Sequence, residues 1–354
     1  MKKLQFAMVG GGNGALIGDI HRIGAQFDDL AELKAGCFSR HWDKNLEAGE
    51  KWGVEPGRIY PDYHTMLEEE AKRTGEDRLD FVVVATPNNT HYEIVKDIIA
   101  HGFHIVCDKP VTFTSRESEE LKALAQEKDL LFGVSYSYAH YAILEQAKKM
   151  IADGVLGKIH TIAAEYPQEW VGLNTALRGK DGLTWRVDPA ICGPSGVIAD
   201  IGTHVEYLIS KVTGLKPVRV LARLRSIPDY VPVESDAQVL IDYDNGAAGI
   251  FWTSFAMVGK SCCMKVRIYG DKGGMEWNAH DFMELRVDIA GQPTQIWSAN
   301  YDYCDPASPR GCRRPSTPCS PTSTGVTVPI CCPGRRAKMS GPSPTPISMT
   351  ASRG

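Results

Sequence analysis

LQFAMVGGGNGA, residues 4–15, decides the fold. A strand-length, mostly apolar run leads straight into glycines at positions 10, 11, 12 and 14. Gly10, Gly12 and Ala15 fit the pattern G-x-G-x-x-A. In that pattern the first glycine makes the turn, the second lets a pyrophosphate approach the backbone, and the small third residue lets the next helix pack on the strand. Asn13 lies within the same loop, and the helix that follows offers amino-terminal N–H groups to phosphate. By itself the motif is a weak signal, because a glycine-rich strand-to-helix turn also occurs for structural reasons alone.

The chain beyond it strengthens the reading. Residues 32–38, 80–85, 103–107 and 131–135 are further short apolar runs largely without polar alternation, as suits parallel strands covered on both faces. Helical patterns separate them at 43–52, 63–72, 90–101 and 115–128, the last two opening on Thr90 and Ser115 as candidate caps. This alternation predicts an α/β doubly wound parallel sheet of Rossmann type over residues 1–134. After a helix at 139–153, strand-like segments follow at 158–166, 217–225, 236–243, 247–255, 263–270 and 281–288, with Asp244-Asn245-Gly246 as a hairpin turn. One helix, 198–213, interrupts them. Residues 135–300 therefore read as a C-terminal α+β domain with a mostly antiparallel open sheet.

Length and charge narrow the function. The 354 residues suit two domains. A net charge of −4 with no long Lys/Arg run leaves no electrostatic footprint for nucleic acid or an anionic membrane, so a small molecule is the expected partner. No stretch reaches the ~18 apolar residues of a membrane span, and the amino terminus lacks a small-residue cleavage site, so a cytoplasmic protein is expected. Cys37, Cys107, Cys192, Cys262 and Cys263 match no zinc or redox spacing and read as free buried thiols; no metal site is expected. From Tyr301 onward the chain has no Leu, Glu, Phe, Trp, His, Asn or Gln. Such a segment buries too little apolar surface to offset backbone ordering, so 301–354 is expected to be a disordered tail. The abruptness of the change fits a shifted reading frame, an idea that an uninterrupted frame shared with close relatives would contradict.

Two further stretches carry chemistry. Asp200 and His204, in DIGTH at 200–204, are spaced i and i+4 and so share a helix face. Lys109, in DKP at 108–110, follows a buried strand, which projects its amine from the carboxyl edge of the sheet, where α/β folds bind ligands. Oxidation of a carbinol needs a base with a pKa near neutrality, as histidine has, and an ammonium nearby steadies a developing alkoxide. At the end of the second strand, where NAD-selective domains place an acid, the chain has Ser39 and Arg40, which accommodate a 2′-phosphate; Asp43, slightly later, remains able to serve NAD. The cofactor is therefore read as NAD(P).

GGGNGA, ATPNNTH at 85–91, DKP where EKP is more usual, the helix followed by GVLGKI at 154–159, and DIGTH stand in an order that resembles the Gfo/Idh/MocA oxidoreductases. The resemblance implies nicotinamide-dependent hydride transfer at a C–OH of a sugar or polyol, with an N-terminal Rossmann domain and a C-terminal domain that often forms homodimers or homotetramers. It implies that Lys109 contacts the nicotinamide ribose and the reacting hydroxyl, that Asp200 orients substrate and histidine, and that His204 exchanges the proton. It also implies that Thr86, Asn88 and His91 line the cofactor, with Asp108 on a shorter arm than the usual glutamate. Tyr136, Tyr138 and Tyr141, with Trp185 and Arg186 in LTWRVDP, offer flat faces and polar groups to a sugar ring, as do Gln168 and Trp170; core packing is the more ordinary use of any one aromatic, but as a group they favour a polyhydroxylated substrate. Transient use of the nicotinamide to cleave glycosides, and a non-enzymatic dinucleotide-binding regulator, are the alternatives.

Overall fold

The computed structural model describes residues 3–305 apart from Asp28 and Cys263, so positions 306–354 of the expected tail lie outside the described residues. The chain divides into two compact units, the first running to Ser135 and the second beginning at Tyr136.

The first unit is built from β1 (Leu4–Gly10), α1 (Leu16–Gln26), β2 (Ala31–Cys37), α2 (Trp42–Lys51), α3 (Tyr63–Ala71), β3 (Phe81–Ala85), α4 (His91–Ala100), β4 (His104–Cys107), α5 (Ser115–Glu127) and β5 (Phe132–Val134). Its five strands are parallel in the order β2-β1-β3-β4-β5. Alternate side chains enter separate cores on the two faces. Phe6, Met8, Phe81 and Val83 pack on one side, and Ala7, Val9, Val82 and Val84 on the other. Both faces being covered is why the strands show no polar alternation. The order reverses between β1 and β3, and doubly wound sheets hold ligands at the carboxyl ends beside such a point.

The helix caps differ from expectation. Thr114, not Ser115, caps α5: its hydroxyl accepts from Glu117 N while the Glu117 carboxylate returns to Thr114 N. Thr90 makes no cap; its hydroxyl turns back to Thr86 Oγ1 and Pro87 O.

The second unit contains α6 (Ala142–Ala152), β6 (Ile159–Pro167), α7 (Trp170–Arg178), α8 (Pro189–Cys192), a π-helical turn at Ile198–Gly202 running into α9 (Thr203–Thr213), then β7 (Pro217–Arg225), β8 (Asp236–Tyr243), β9 (Ala248–Ser254), β10 (Lys265–Gly270), β11 (Gly273–Asn278), β12 (Glu284–Ile289) and β13 (Gln295–Ser298). Its eight strands run β13-β12-β11-β10-β6-β9-β8-β7 and are antiparallel except for β6 beside β9. The α/β class and mostly antiparallel second sheet are as expected. Sequence reading missed β11, β13, α7 and α8. The expected hairpin joins β8 to β9, with Gly246 at φ +87° and Asn245 Oδ1 accepting from Ala247 N. Helices α6 and α9 cover one sheet face, where Leu144, Val205, Leu208 and Val212 meet Ile162, Tyr166, Phe251 and Val266 in one core.

Contrary to the expected start of the tail, Tyr301–Asp305 is folded. Tyr301 stacks on Tyr303, Tyr303 meets Trp297 edge-on, and Asp305 N donates to Gln146 Oε1 at 2.7 Å. Cys37, Cys107 and Cys192 are buried thiols, but Cys262 is exposed. Among the described residues no helix is long and apolar enough to cross a membrane, and no group of three or more His, Cys, Asp or Glu could hold a metal ion.

Candidate active site

Every expected cofactor residue lies at or after the carboxyl end of a strand in the first unit. Gly10 closes β1 at φ +80°, and a Cβ there would stand 2.6 Å from Ala85 O. Gly12 N donates to Phe38 O at 3.1 Å, and a Cβ on Gly12 would meet the same oxygen at 2.7 Å. The first glycine thus sits against β3 and the second against the end of β2. Gly14, at φ +83°, faces open space: nothing lies within 4 Å of the position its Cβ would take. Ala15 is the N-cap of α1 and supplies no side-chain oxygen, so no cap competes for the first helical N–H groups. A bare, cap-free helix start behind a glycine loop fits a pyrophosphate.

A close approach between α1 and the loop falls at Gly18. A Cβ on Gly18 would lie 1.9 Å from Gly11 O. Pattern matching missed it because it lies within the helix, past the motif.

Around the loop, Asn13 Oδ1 accepts from Lys51 Nζ at 3.2 Å. Beyond β2, Ser39 Oγ accepts from His41 N at 3.1 Å and Arg40 is exposed. Asn45, fully buried on α2, holds this turn: its Oδ1 accepts from Phe38 N at 2.7 Å and its Nδ2 donates to Tyr60 O. Sequence alone gave no sign of it, since an asparagine on a polar helix reads as surface.

Thr86 and Asn88 follow β3, and Asp108 and Lys109 follow β4. His91, expected at the cofactor, is fully buried, with its ring nitrogens 2.8 Å from the carbonyl oxygens of Pro110 and Thr86. With both nitrogens occupied, it braces the loops after β3 and β4 instead of presenting a polar atom to a ligand. Asp108 is likewise anchored, its Oδ1 accepting from Ser135 Oγ at 2.5 Å and Lys109 N at 2.9 Å. Buried His21 stands 4.0 Å from that carboxylate; burial lowers its pKa, against the pull of Asp108.

In the second unit, His204 is 5% exposed in the first turn of α9. Tyr136 and Tyr138 both meet its ring edge-to-face, with centroids 5.5 Å and 5.0 Å away. Tyr138 accepts from Tyr166 Oη at 2.8 Å, and burial raises the pKa of both phenols. Asp200 lies in the π turn rather than a regular α-helix, and Arg186 Nη1 stands 3.8 Å from its carboxylate. The Arg186 guanidinium also lies over the ring of Trp185. Six expected residues thus gather in two groups on this unit.

Three other expected residues of this unit have further contacts. Tyr141 packs against Trp277 and Phe282, and its phenol is pushed up to about 12, mainly by burial. Trp170 packs on Phe255, and Gln168 is tied by its backbone to Ser254 and Met257.

Glu234 escaped sequence reading. Its Oε1 accepts from Ser195 Oγ at 2.6 Å, Gly196 N at 2.9 Å and Ile198 N at 3.3 Å, placing a carboxylate at the amino end of the helical segment that bears Asp200 and His204. Partners nearly forty positions apart leave no local pattern.

Comparison with known proteins agrees with this architecture. Residues 4–136 match the family model described as "Oxidoreductase family, NAD-binding Rossmann fold", and residues 144–276 match the "GFO/IDH/MocA C-terminal domain". The chain is 38% identical over 307 residues to the uncharacterized oxidoreductase YfiI of Bacillus subtilis, covering 86% of this chain and 78% of that one. It is 27% identical to levoglucosan dehydrogenase of Pseudarthrobacter phenanthrenivorans, over 65% of this chain and 63% of that one. An inositol dehydrogenase homolog from Azotobacter vinelandii, solved with NAD+, has a similar structure, with a TM-score of 0.84 and 34% identity over 92% of this chain and 84% of that one.

Proposed function

The chain belongs to the Gfo/Idh/MocA family of NAD-binding oxidoreductases, and from that premise we propose that it oxidises a secondary alcohol of a sugar, polyol or sugar derivative, reversibly, with His204 exchanging the hydroxyl proton. The observation that carries the proposal is the buried His204 imidazole enclosed edge-on by Tyr136 and Tyr138. By type, an imidazole is the side chain whose ordinary pKa lies near neutrality, while burial raises the pKa of the Tyr138 and Tyr166 phenols.

A nicotinamide held by the first unit would supply the hydride acceptor. The other tasks fall to this chain's own residues. The glycine loop and the start of α1 hold the pyrophosphate, and Thr86 and Asn88 flank the riboses. As the family resemblance implies, Lys109 would contact the nicotinamide ribose and steady the developing alkoxide. As the carbinol C–H gives up its hydride, the O–H proton passes to His204, and Asp200 orients both substrate and imidazole. Arg186 and Trp185, gathered at Asp200, offer hydrogen-bond donors and a flat face to ring hydroxyls. Support for a polyhydroxylated substrate comes from relatives named for inositol and levoglucosan.

A panel of inositols, monosaccharides and anhydrosugars, offered with NAD and with NADP, tests the reading through absorbance of the reduced cofactor. Steady accumulation with at least one polyol is expected. Failure across the panel, or product without reduced cofactor, would refute simple dehydrogenation.

The expected homo-oligomer would form through the open face of the second sheet. There Leu221, Leu240 and Ile250 stand side by side in register, 69%, 51% and 51% exposed. Such an apolar row is a surface that association would bury. Light scattering should show the assembly, and Leu240→Glu should dissociate it.

A further inference from the structure

We propose that Lys211 is a positioning residue for His204, holding the aromatic turn against it through a buried ammonium socket. The inference rests on the reading of His204 as the proton-exchanging group.

Lys211 lies on α9 two turns beyond His204, with its side chain 16% exposed. Its Nζ is 2.6 Å from Glu145 Oε1, 2.7 Å from Ala139 O and 3.0 Å from His140 Nδ1. An ammonium has three donors, and three acceptors surround it. Burial lowers the pKa of Lys211 while Glu145 raises it, and burial followed by the Lys211 charge brings His140 down to about 4. His140 is therefore a neutral acceptor, which the geometry at its Nδ1 requires.

The acceptors come from two places. Glu145 is on α6, whereas Ala139 and His140 belong to the short turn Ser137–His140. Tyr138 lies within that turn and Tyr136 immediately before it, and these are the rings that enclose His204. Tyr207, one turn after His204 on α9, stacks on Tyr136 with centroids 4.6 Å apart. Its ring also lies 6.3 Å from His140. The socket and this stack therefore fasten the turn to the same helix that carries the imidazole, at points one and two turns along it. Lys211 touches no reacting atom in this scheme. It acts through the turn.

Removing the ammonium leaves the Glu145 carboxylate partly buried without its cation and frees the turn. Displacement of about an ångström at a reacting group costs on the order of a hundredfold in rate. The experiment compares the full-length wild type with Lys211→Met, which keeps the length and loses the donors, and with Lys211→Arg, which restores charge and donors. Expected for Lys211→Met are a kcat at least about tenfold lower, NADH affinity by fluorescence unchanged, and altered His204 ring resonances in NMR. Lys211→Arg should recover much of each. A folded Lys211→Met protein with wild-type kcat and unchanged His204 resonances would overturn the proposal.

Should Lys211→Met not fold, His140→Gln removes the ring acceptor while sparing the ion pair, and the same displacement of the His204 resonances is expected; their invariance would overturn the proposal equally. The resonances report on the wild type and variants without turnover, so the failure of the dehydrogenase reading would be seen separately, as a wild type inactive on the polyol panel.

Discussion

Tyr138 stands edge-to-face to His204, the ring centroids 5.0 Å apart and the planes at 84°, while its hydroxyl accepts from Tyr166 at 2.8 Å. One aromatic residue thus fixes the imidazole plane and is itself fixed by a strand of the sheet below. Edge-to-face pairs contribute about 0.5–1.5 kcal/mol beyond area burial, enough to favour one ring orientation. Tyr138→Phe keeps the ring and loses the hydroxyl contact, so it should lower kcat far less than Tyr138→Ala. Steady-state kinetics on a turned-over polyol would show the ranking, and equal losses would contradict it.

His204→Ala should reduce kcat by about 10²- to 10⁴-fold, as loss of a general base does. Cofactor affinity should stay within about twofold, because the phosphate loop belongs to the first unit. Turnover assays paired with NADH fluorescence would reveal both effects, and unchanged turnover would remove His204 from the mechanism.

Gly18→Ala should destabilise the protein by about 1–3 kcal/mol and weaken cofactor binding, because its Cβ would be forced against backbone that cannot rotate away. Gly14→Ala meets no atom, and its cost, about 1–2 kcal/mol, comes from the positive φ alone. Thermal denaturation with and without NADH would distinguish a displaced helix from local backbone strain: the first lowers the stabilisation by cofactor as well as Tm.

At the end of β2, Arg40→Ala should weaken NADP about tenfold, the magnitude of one charge-assisted hydrogen bond, and leave NAD nearly unchanged. Titration of both cofactors against the variant would show the difference. Equal changes would mean that the exposed Arg40 guanidinium does not meet the 2′-phosphate.

His140 makes stability depend on acid. Its folded pKa, about 4, lies below the ordinary value, first through burial and then through Lys211. Between these values the unfolded chain binds more protons, so the contribution is complete above about pH 6.5 and is lost as pH falls toward 4. The ceiling is about 3 kcal/mol. Urea denaturation near pH 7 and near pH 4.5 should show wild type losing more stability than His140→Gln.

The amino-acid sequence by itself determined the class of the first domain, because a glycine loop after an apolar strand and alternating strands and helices are local patterns, each set by a few neighbouring residues. It also supplied the chemically apt residues, since Lys109, Asp200 and His204 are recognisable by type and spacing. Tertiary structure alone decided what each does with its neighbours. His91 became a brace because two carbonyls from separate loops close on its ring, and Tyr141 turned to Trp277 while Tyr138 turned to His204. Gly18, Asn45, Glu234 and Lys211 earned their roles from partners brought close only by folding, and a sequence records such partners without recording their distance.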